Sequence, residues 1–244
     1  MAVVAGLLLW SGSGIAPAQV PTASAADEVV QGLTHLDPAS SLGVGAGSVT
    51  NPLKSTAQKV TTTADGKIRV TYVGTEYCPF CAAQRWSLLV ALSRFGSFSG
   101  VQLTQSSSTD VYPNTATFTF THARFSSSTI DFAPFETQDR NRQPLQQPST
   151  AAQAAMARYD AGGSIPFADI GEVEYAVGAG FAMDNLAGQD WQQILGQVRN
   201  YGSPIAQEVV GNANWLTAGM CRAGATGDAC GDPHIRALAA ELGP

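Results

Sequence analysis

The sequence predicts an α/β fold, a mixed sheet flanked by helices, with a β-rich insertion and a C-terminal helical extension. Three observations predict it. The alternating stretch Lys67-Ile-Arg-Val-Thr-Tyr-Val73 leads, after a short turn, into a helix that opens on Cys78-Pro-Phe-Cys81. A proline-led strand, Ile165-Pro-Phe-Ala-Asp-Ile170, is followed by a hairpin partner. Helical segments with capping residues separate and follow these strands. Of the 244 residues, 44% are hydrophobic and 13% charged. That is ample for one packed core and excludes a wholly disordered chain. Thirteen Lys and Arg against 19 Asp and Glu give a net charge of −6. There is no excess of positive charge to displace phosphate counterions, so nucleic acid is not an expected partner. No apolar run approaches the ~20 residues that span a bilayer, which excludes a polytopic membrane protein.

Each element follows from its residues. Met1 to Trp10 is almost wholly apolar, and Ala23-Ser24-Ala25 precedes Ala26-Asp27. That is the outline of a secretory signal over residues 1–25, cleaved after Ala25. No Lys or Arg precedes the apolar run, so membrane anchoring through the N-terminus stands as the alternative. The expected location is extracytoplasmic, secreted or anchored, where disulfides persist. Residues 26–66 read as a wrapping extension with a short helix at Asp27–Leu33. Residues 67–202 form the main domain with an insertion at 101–148, and residues 203–244 a helical extension packed on the same domain.

Within the main domain, Ile68, Val70 and Tyr72 alternate with other residues as in a strand. From Cys78 to Phe95 the chain has Ala and Leu in plenty, no Gly, and Pro only at Pro79 in the first turn, where a helix tolerates it. Apolar residues cover most of this helix, so burial on more than one side is expected. Val101–Gln105 reads as a short strand. Thr115–His122 alternates, with Ala116, Phe118 and Phe120 on one face and threonines on the other, and Ser128–Phe132 is read as its partner. His122 shares the phenylalanine face and is expected at an edge or partly buried. Asp139–Pro148 is polar and read as a loop, with its Asp139–Arg142 cluster solvated. A helix starts at the cap Ser149 or Thr150 and ends before Gly162. Glu174–Ala179 pairs back on the Ile-Pro strand. Trp191, Ile194, Leu195 and Val198 mark one buried face of a helix over Asp190–Asn200. Ser203-Pro204 opens another that runs to Cys221, and Asp232-Pro233 starts the last.

Two cysteines one turn apart at a helix N-terminus can close a disulfide with little backbone movement. The first thiol faces the positive end of the helix dipole and free N–H groups. Cys78 is therefore the expected nucleophile, with a moderately lowered pKa, and Cys81 the more buried resolving thiol. Glu76, if it points at Cys78, opposes that shift. Arg85 is expected to pair with Glu76 or another carboxylate, Trp86 to be core, and Arg94 to be a packing or ion-pair residue. A Cys-x-x-Cys also occurs as half a metal site or as an inert bridge. Thiol–disulfide exchange on protein thiols thus stands beside two alternatives, a non-catalytic binding or structural module and a cysteine-ligated metal protein. No cofactor motif is present.

The order of elements is similar to that of a thioredoxin domain. Tyr72-Val-Gly-Thr-Glu-Tyr-Cys-Pro-Phe-Cys-Ala-Ala-Gln-Arg-Trp86, Ala91–Phe98, Ser106–Pro113, Ile165–Gly171 and Ala213–Cys221 together resemble an uncharacterised family of bacterial and archaeal thioredoxin-like proteins, often exported or anchored. The resemblance covers roughly Lys67 to Cys230. It implies the thioredoxin-like fold and a redox role, without an established substrate or redox partner. It also implies a cis Pro166 packed near the cysteines, with Ile165 presenting backbone to an extended substrate. Cys-Pro-Phe-Cys is also similar to the glutaredoxin motif, but the long insertion and export-like leader argue against glutathione use. Cys221 and Cys230 flank a Gly-containing loop, and a structural disulfide pinning two helices is the expected reading. A second redox pair relaying to Cys78–Cys81 is the alternative, and would need the C-terminal helices over the active site. Their spacing is longer than that of usual zinc ligand pairs, so no metal is expected.

Overall fold

The computed structural model describes residues 23–243. Most of the leader predicted over residues 1–25 lies outside them. The elements are α1 (Ala23–Thr34), α2 (Pro38–Gly43), β1 (Lys54–Ser55), β2 (Ile68–Gly74), α3 (Pro79–Ser93), β3 (Gly96–Ser99), β4 (Gln102–Gln105), β5 (Ala116–Thr119), β6 (Arg124–Ser127), β7 (Ile130–Glu136), α4 (Thr150–Tyr159), β8 (Phe167–Ile170), β9 (Glu174–Val177), α5 (Trp191–Arg199), α6 (Pro204–Arg222) and α7 (Pro233–Glu241), with a 3-10 turn at Asp228–Gly231 before the last.

The main sheet has the order β1-β9-β8-β2-β7. β2 runs parallel to β7, with Val70 opposite Phe132, and antiparallel to β8, with Val73 opposite Phe167. β9 pairs back on β8, and two-residue β1 closes that edge. β7 is the other edge and carries Pro134, whose missing N–H an edge strand tolerates. Side chains alternate across the sheet. Val70, Tyr72, Ala168 and Ile170 join the large core with α3, α5 and α6, while Val73 and Phe167 pack on Ala152 and Ala155 of α4. The sheet is thus covered by helices on both faces, as its near-continuous burial requires.

Helix ends follow the predicted signals. Ser149 caps α4, Asp190 caps α5 in a capping box with Gln193, Ser203 caps α6 ahead of Pro204, and Asp232 caps α7 ahead of Pro233. In α3 only Phe80 and Ser93 escape burial, because α6, β5 and the sheet pack around it. Several of its polar groups find partners in neighbouring elements. Ser87 Oγ donates to Val209 O, and Trp86 Nε1 to Ala116 O.

Three expectations are corrected. Residues 128–132 do not pair with 115–122. β5 pairs with β4 instead, and β7 joins β2 in the main sheet. β7 lies inside the 101–148 span read as insertion, which therefore contributes one strand to the core sheet. The threonine face of β5 packs inward, where Thr117 Oγ1 donates to Ala82 O of α3 and Trp191 Nε1 donates to Thr117 O. His122 is exposed in the turn after β5, off the strand face on which it was expected.

Candidate active site

β2 ends at Gly74, and residues 75–77 turn the chain into α3. Pro79 in the first turn forces the preceding residue into extended backbone, and Cys78 accordingly sits at φ −78°, ψ 122° as the N-cap. Its Sγ takes the place of a capping oxygen and accepts the Cys81 N–H at 3.3 Å. The Cys81 thiol also donates to it, the Phe80 N–H adds a further bond, and the Arg85 guanidinium attracts its charge. Against the opposing effect of burial, these hold the Cys78 pKa at about 7, below its ordinary value of 9.0. Cys81 shifts the other way. Complete burial raises its pKa well above the ordinary thiol value, as does the bond it gives to Cys78. The proton thus resides on the inner sulfur and the negative charge on the outer. Glu76 does not face Cys78. It accepts from Thr121 Oγ1 at 3.3 Å.

Arg85 lies one turn beyond Cys81, on the same side of α3. It is fully buried, as is Glu136 at the end of β7. Nε donates to Glu136 Oε1 at 2.8 Å, and Nη2 to Oε2 at 2.6 Å and to Thr75 O at 2.6 Å. This bidentate pair fixes the turn that carries Cys78. The expected Arg85 partner is thus a carboxylate 51 positions away rather than nearby Glu76. Its sequence trace is an acid closing the Ile130–Glu136 run directly after the apolar stretch Phe132–Phe135.

Ile165–Pro166 is a cis peptide. The register that pairs Val73 with Phe167 carries Ile165 and Pro166 alongside the end of β2, where the turn to Cys78 begins. The structure therefore brings Cys78, Cys81, Ile165 and Pro166 to one end of the sheet.

Two loops form a collar around that end, and sequence reasoning missed both. Ser107 N–H donates to Tyr77 O, and Glu76 N–H to Gln138 O. Arg142 lies over the Tyr77 ring at 4.0 Å and reaches Asp110 at 3.3 Å. Arg140 donates to Ser106 O and Asn114 Oδ1. Residues 139–142, read as a solvated loop, thus strap the 106–114 loop to the active-site turn. Among the described residues, three of the four exposed large apolar side chains lie here: Phe80 at 40%, Val111 at 70% and Leu145 at 42% exposure. Cys78 itself is 6% exposed.

The second pair is elsewhere. Cys221 and Cys230 form a disulfide, Cα–Cα 5.5 Å, where the end of α6 meets the 3-10 turn. Asp228 and Ala229 of that turn share a cavity with Ser93 and Arg94 at the far end of α3. Fifteen helical residues separate the two ends, roughly 22 Å at 1.5 Å per residue. The relay alternative fails on this distance, and the four cysteines do not converge on one metal. Among the described residues no cluster of three or more His, Cys, Asp or Glu is placed to hold a metal ion, and no helix is long and apolar enough to cross a membrane. Among the described residues Arg94 makes no ion pair, and it donates to Thr217 Oγ1 at 2.6 Å.

Residues 54–156 match the family described as Domain of unknown function (DUF929). The match runs from β1 into α4, and so takes in the cysteine pair, Arg85, Glu136 and the collar. No curated protein and no solved structure matches the chain.

Proposed function

We propose that residues 67–202 form a thioredoxin-like unit and that the protein is a thiol–disulfide oxidoreductase acting on protein thiols and disulfides. The observation that carries this reading is the opposed pair of thiols, with Cys78 lowered to about 7 at a helix N-cap and Cys81 raised and buried behind it. A nucleophile must be ionised and reachable, while the resolving thiol must stay protonated until the mixed disulfide forms. The Cys78 thiolate attacks one sulfur of a substrate disulfide and expels the other as thiolate. Cys81 then loses its proton and attacks Cys78 Sγ, releasing the second substrate thiol and leaving a Cys78–Cys81 disulfide. Two electrons pass to the substrate, and run backwards the same steps oxidise a dithiol. The strand order β9-β8-β2-β7, with the cysteine helix after β2, supports the thioredoxin-like assignment. So does Pro166 at the start of β8. Ile165 and Pro166 are the substrate-positioning residues of the proposal, and exposed Phe80, Val111 and Leu145 suit an unfolded or extended polypeptide. The Cys221–Cys230 disulfide fits an oxidising, extracytoplasmic compartment.

A second reading, a binding module with an inert Cys78–Cys81 bridge, draws on the 6% exposure of Cys78. Reduction of insulin, and oxidation of a reduced substrate, by wild type and by Cys78→Ser decide between them. Loss of turnover in the variant supports the enzyme, and identical behaviour of the two proteins leaves only the module.

A further inference from the structure

The end of α3 opposite the cysteines closes one wall of a cavity of about 330 Å³. It lies where α1 and α2 meet α3 and the start of α7. Leu33, Leu36, Pro38, Leu42 and Val90 make the apolar side of its walls, and polar residues line the rest. Among the described residues the one cation lining it is Arg94, held by Thr217 Oγ1 at 2.6 Å and reaching Ala213 O at 3.5 Å. Arg94 Nη2 is shielded from solvent and has no acceptor. Among the described residues no carboxylate lies within ion-pair distance of this guanidinium. Two aspartates share the lining, and Asp232 attracts the Arg94 charge from beyond ion-pair distance. Asp232 Oδ1 accepts the His234 and Ile235 N–H groups as the cap of α7, and Asp228 is exposed at the rim.

A cavity of this size with an apolar side and a fixed cationic anchor has the make-up of a small-molecule site. A guanidinium withdrawn from water with no anion in contact is costly, and an anion delivered on an apolar body relieves that cost. We propose that this cavity binds a small amphipathic carboxylate, with its carboxylate on Arg94 and its apolar tail against Leu33, Leu42 and Val90. Burial lowers the Arg94 pKa to about 10, with Asp232 opposing, so the cation persists at neutral pH. The proposal does not depend on the redox reading, since the site stands at the other end of α3.

The test is calorimetric titration of the full chain with hexanoate, hexanol and hexylamine. Saturable hexanoate binding, with the other two at least about tenfold weaker, is the expected result. Arg94→Met keeps the apolar stem, and it should weaken hexanoate by roughly 10–100-fold, the value of a charge-assisted hydrogen bond, while sparing hexanol. Ser93→Phe fills the cavity, leaves Arg94 in place, and should abolish binding even if Arg94→Met does not fold. Absence of saturable hexanoate binding, tighter binding of hexylamine, or wild-type affinity in Ser93→Phe would each overturn the proposal.

Discussion

Replacing Cys81 with Ala removes the donor that contributes most to the lowered Cys78 pKa while leaving the backbone cap in place. At a pKa of about 7, roughly half of Cys78 is thiolate at pH 7. At the ordinary value of 9.0 about 1% is, roughly a 50-fold difference. Lower basicity makes each thiolate less nucleophilic. With a Brønsted slope of about 0.5, the wild-type thiolate is about tenfold slower per ion. The two effects leave the wild type about fivefold faster at pH 7. Iodoacetamide is small enough to enter beside Phe80, and pseudo-first-order alkylation from pH 5 to 10 measures both quantities. The wild-type curve should inflect near pH 7. Cys81→Ala should inflect well above that and react up to about fivefold more slowly at pH 7. A wild-type inflection close to the ordinary 9.0 refutes the thiolate argument. An unshifted inflection in Cys81→Ala refutes the assignment of its cause.

Four further outcomes are expected. The folded Cys78 pKa is depressed, so its contribution to the stability of the reduced protein is small below pH 7. It grows to about 2–3 kcal/mol as pH rises to 9, and urea midpoints of the reduced chain should follow that rise until the raised Cys81 pKa opposes it above pH 9. Arg85→Leu leaves Glu136 buried and unpaired and should destabilise by about 3–5 kcal/mol, and Arg85→Leu with Glu136→Leu should recover most of that. Equal loss in the double variant would mean the pair is not the cause. Cys221→Ala should lower stability by about 2.5–3 kcal/mol, the chain-entropy value for a loop this short, with thiol exchange unchanged. Val111→Ser should raise KM for a protein disulfide severalfold and leave reduction of a small aromatic disulfide as it is. Equal effects on both substrates would remove the collar from substrate binding.

Much of the scaffold is legible in local chemistry. Ser149, Asp190, Ser203-Pro204 and Asp232-Pro233 announce helix starts because a cap satisfies its own helix and needs no distant partner. The cysteine geometry is legible for the same reason, since Cys78 and Cys81 share one turn. Pairings between distant segments are not. The strand at 130–136 joins β2 rather than β5 because Ile130, Val70 and Tyr72 together bury one face, a match that no window of the sequence contains. Glu136 escaped notice because an isolated acid near a strand end reads as solvated, and only its meeting with Arg85 makes it internal. Residues 139–142 have the composition of a free loop, and the stacking of Arg142 on Tyr77 is set by tertiary placement.

A protein proposed to handle unfolded chains must avoid being templated by them, and the borders of the main sheet bear on this. One border is the two-residue β1, too brief to recruit a visiting segment. The other is β7, where Pro134 has no N–H to offer. Client polypeptides therefore find no long hydrogen-bonding ladder to extend. Trading Pro134 for Val would restore a donor on that border and create an opening for the strand addition that leads to aggregation.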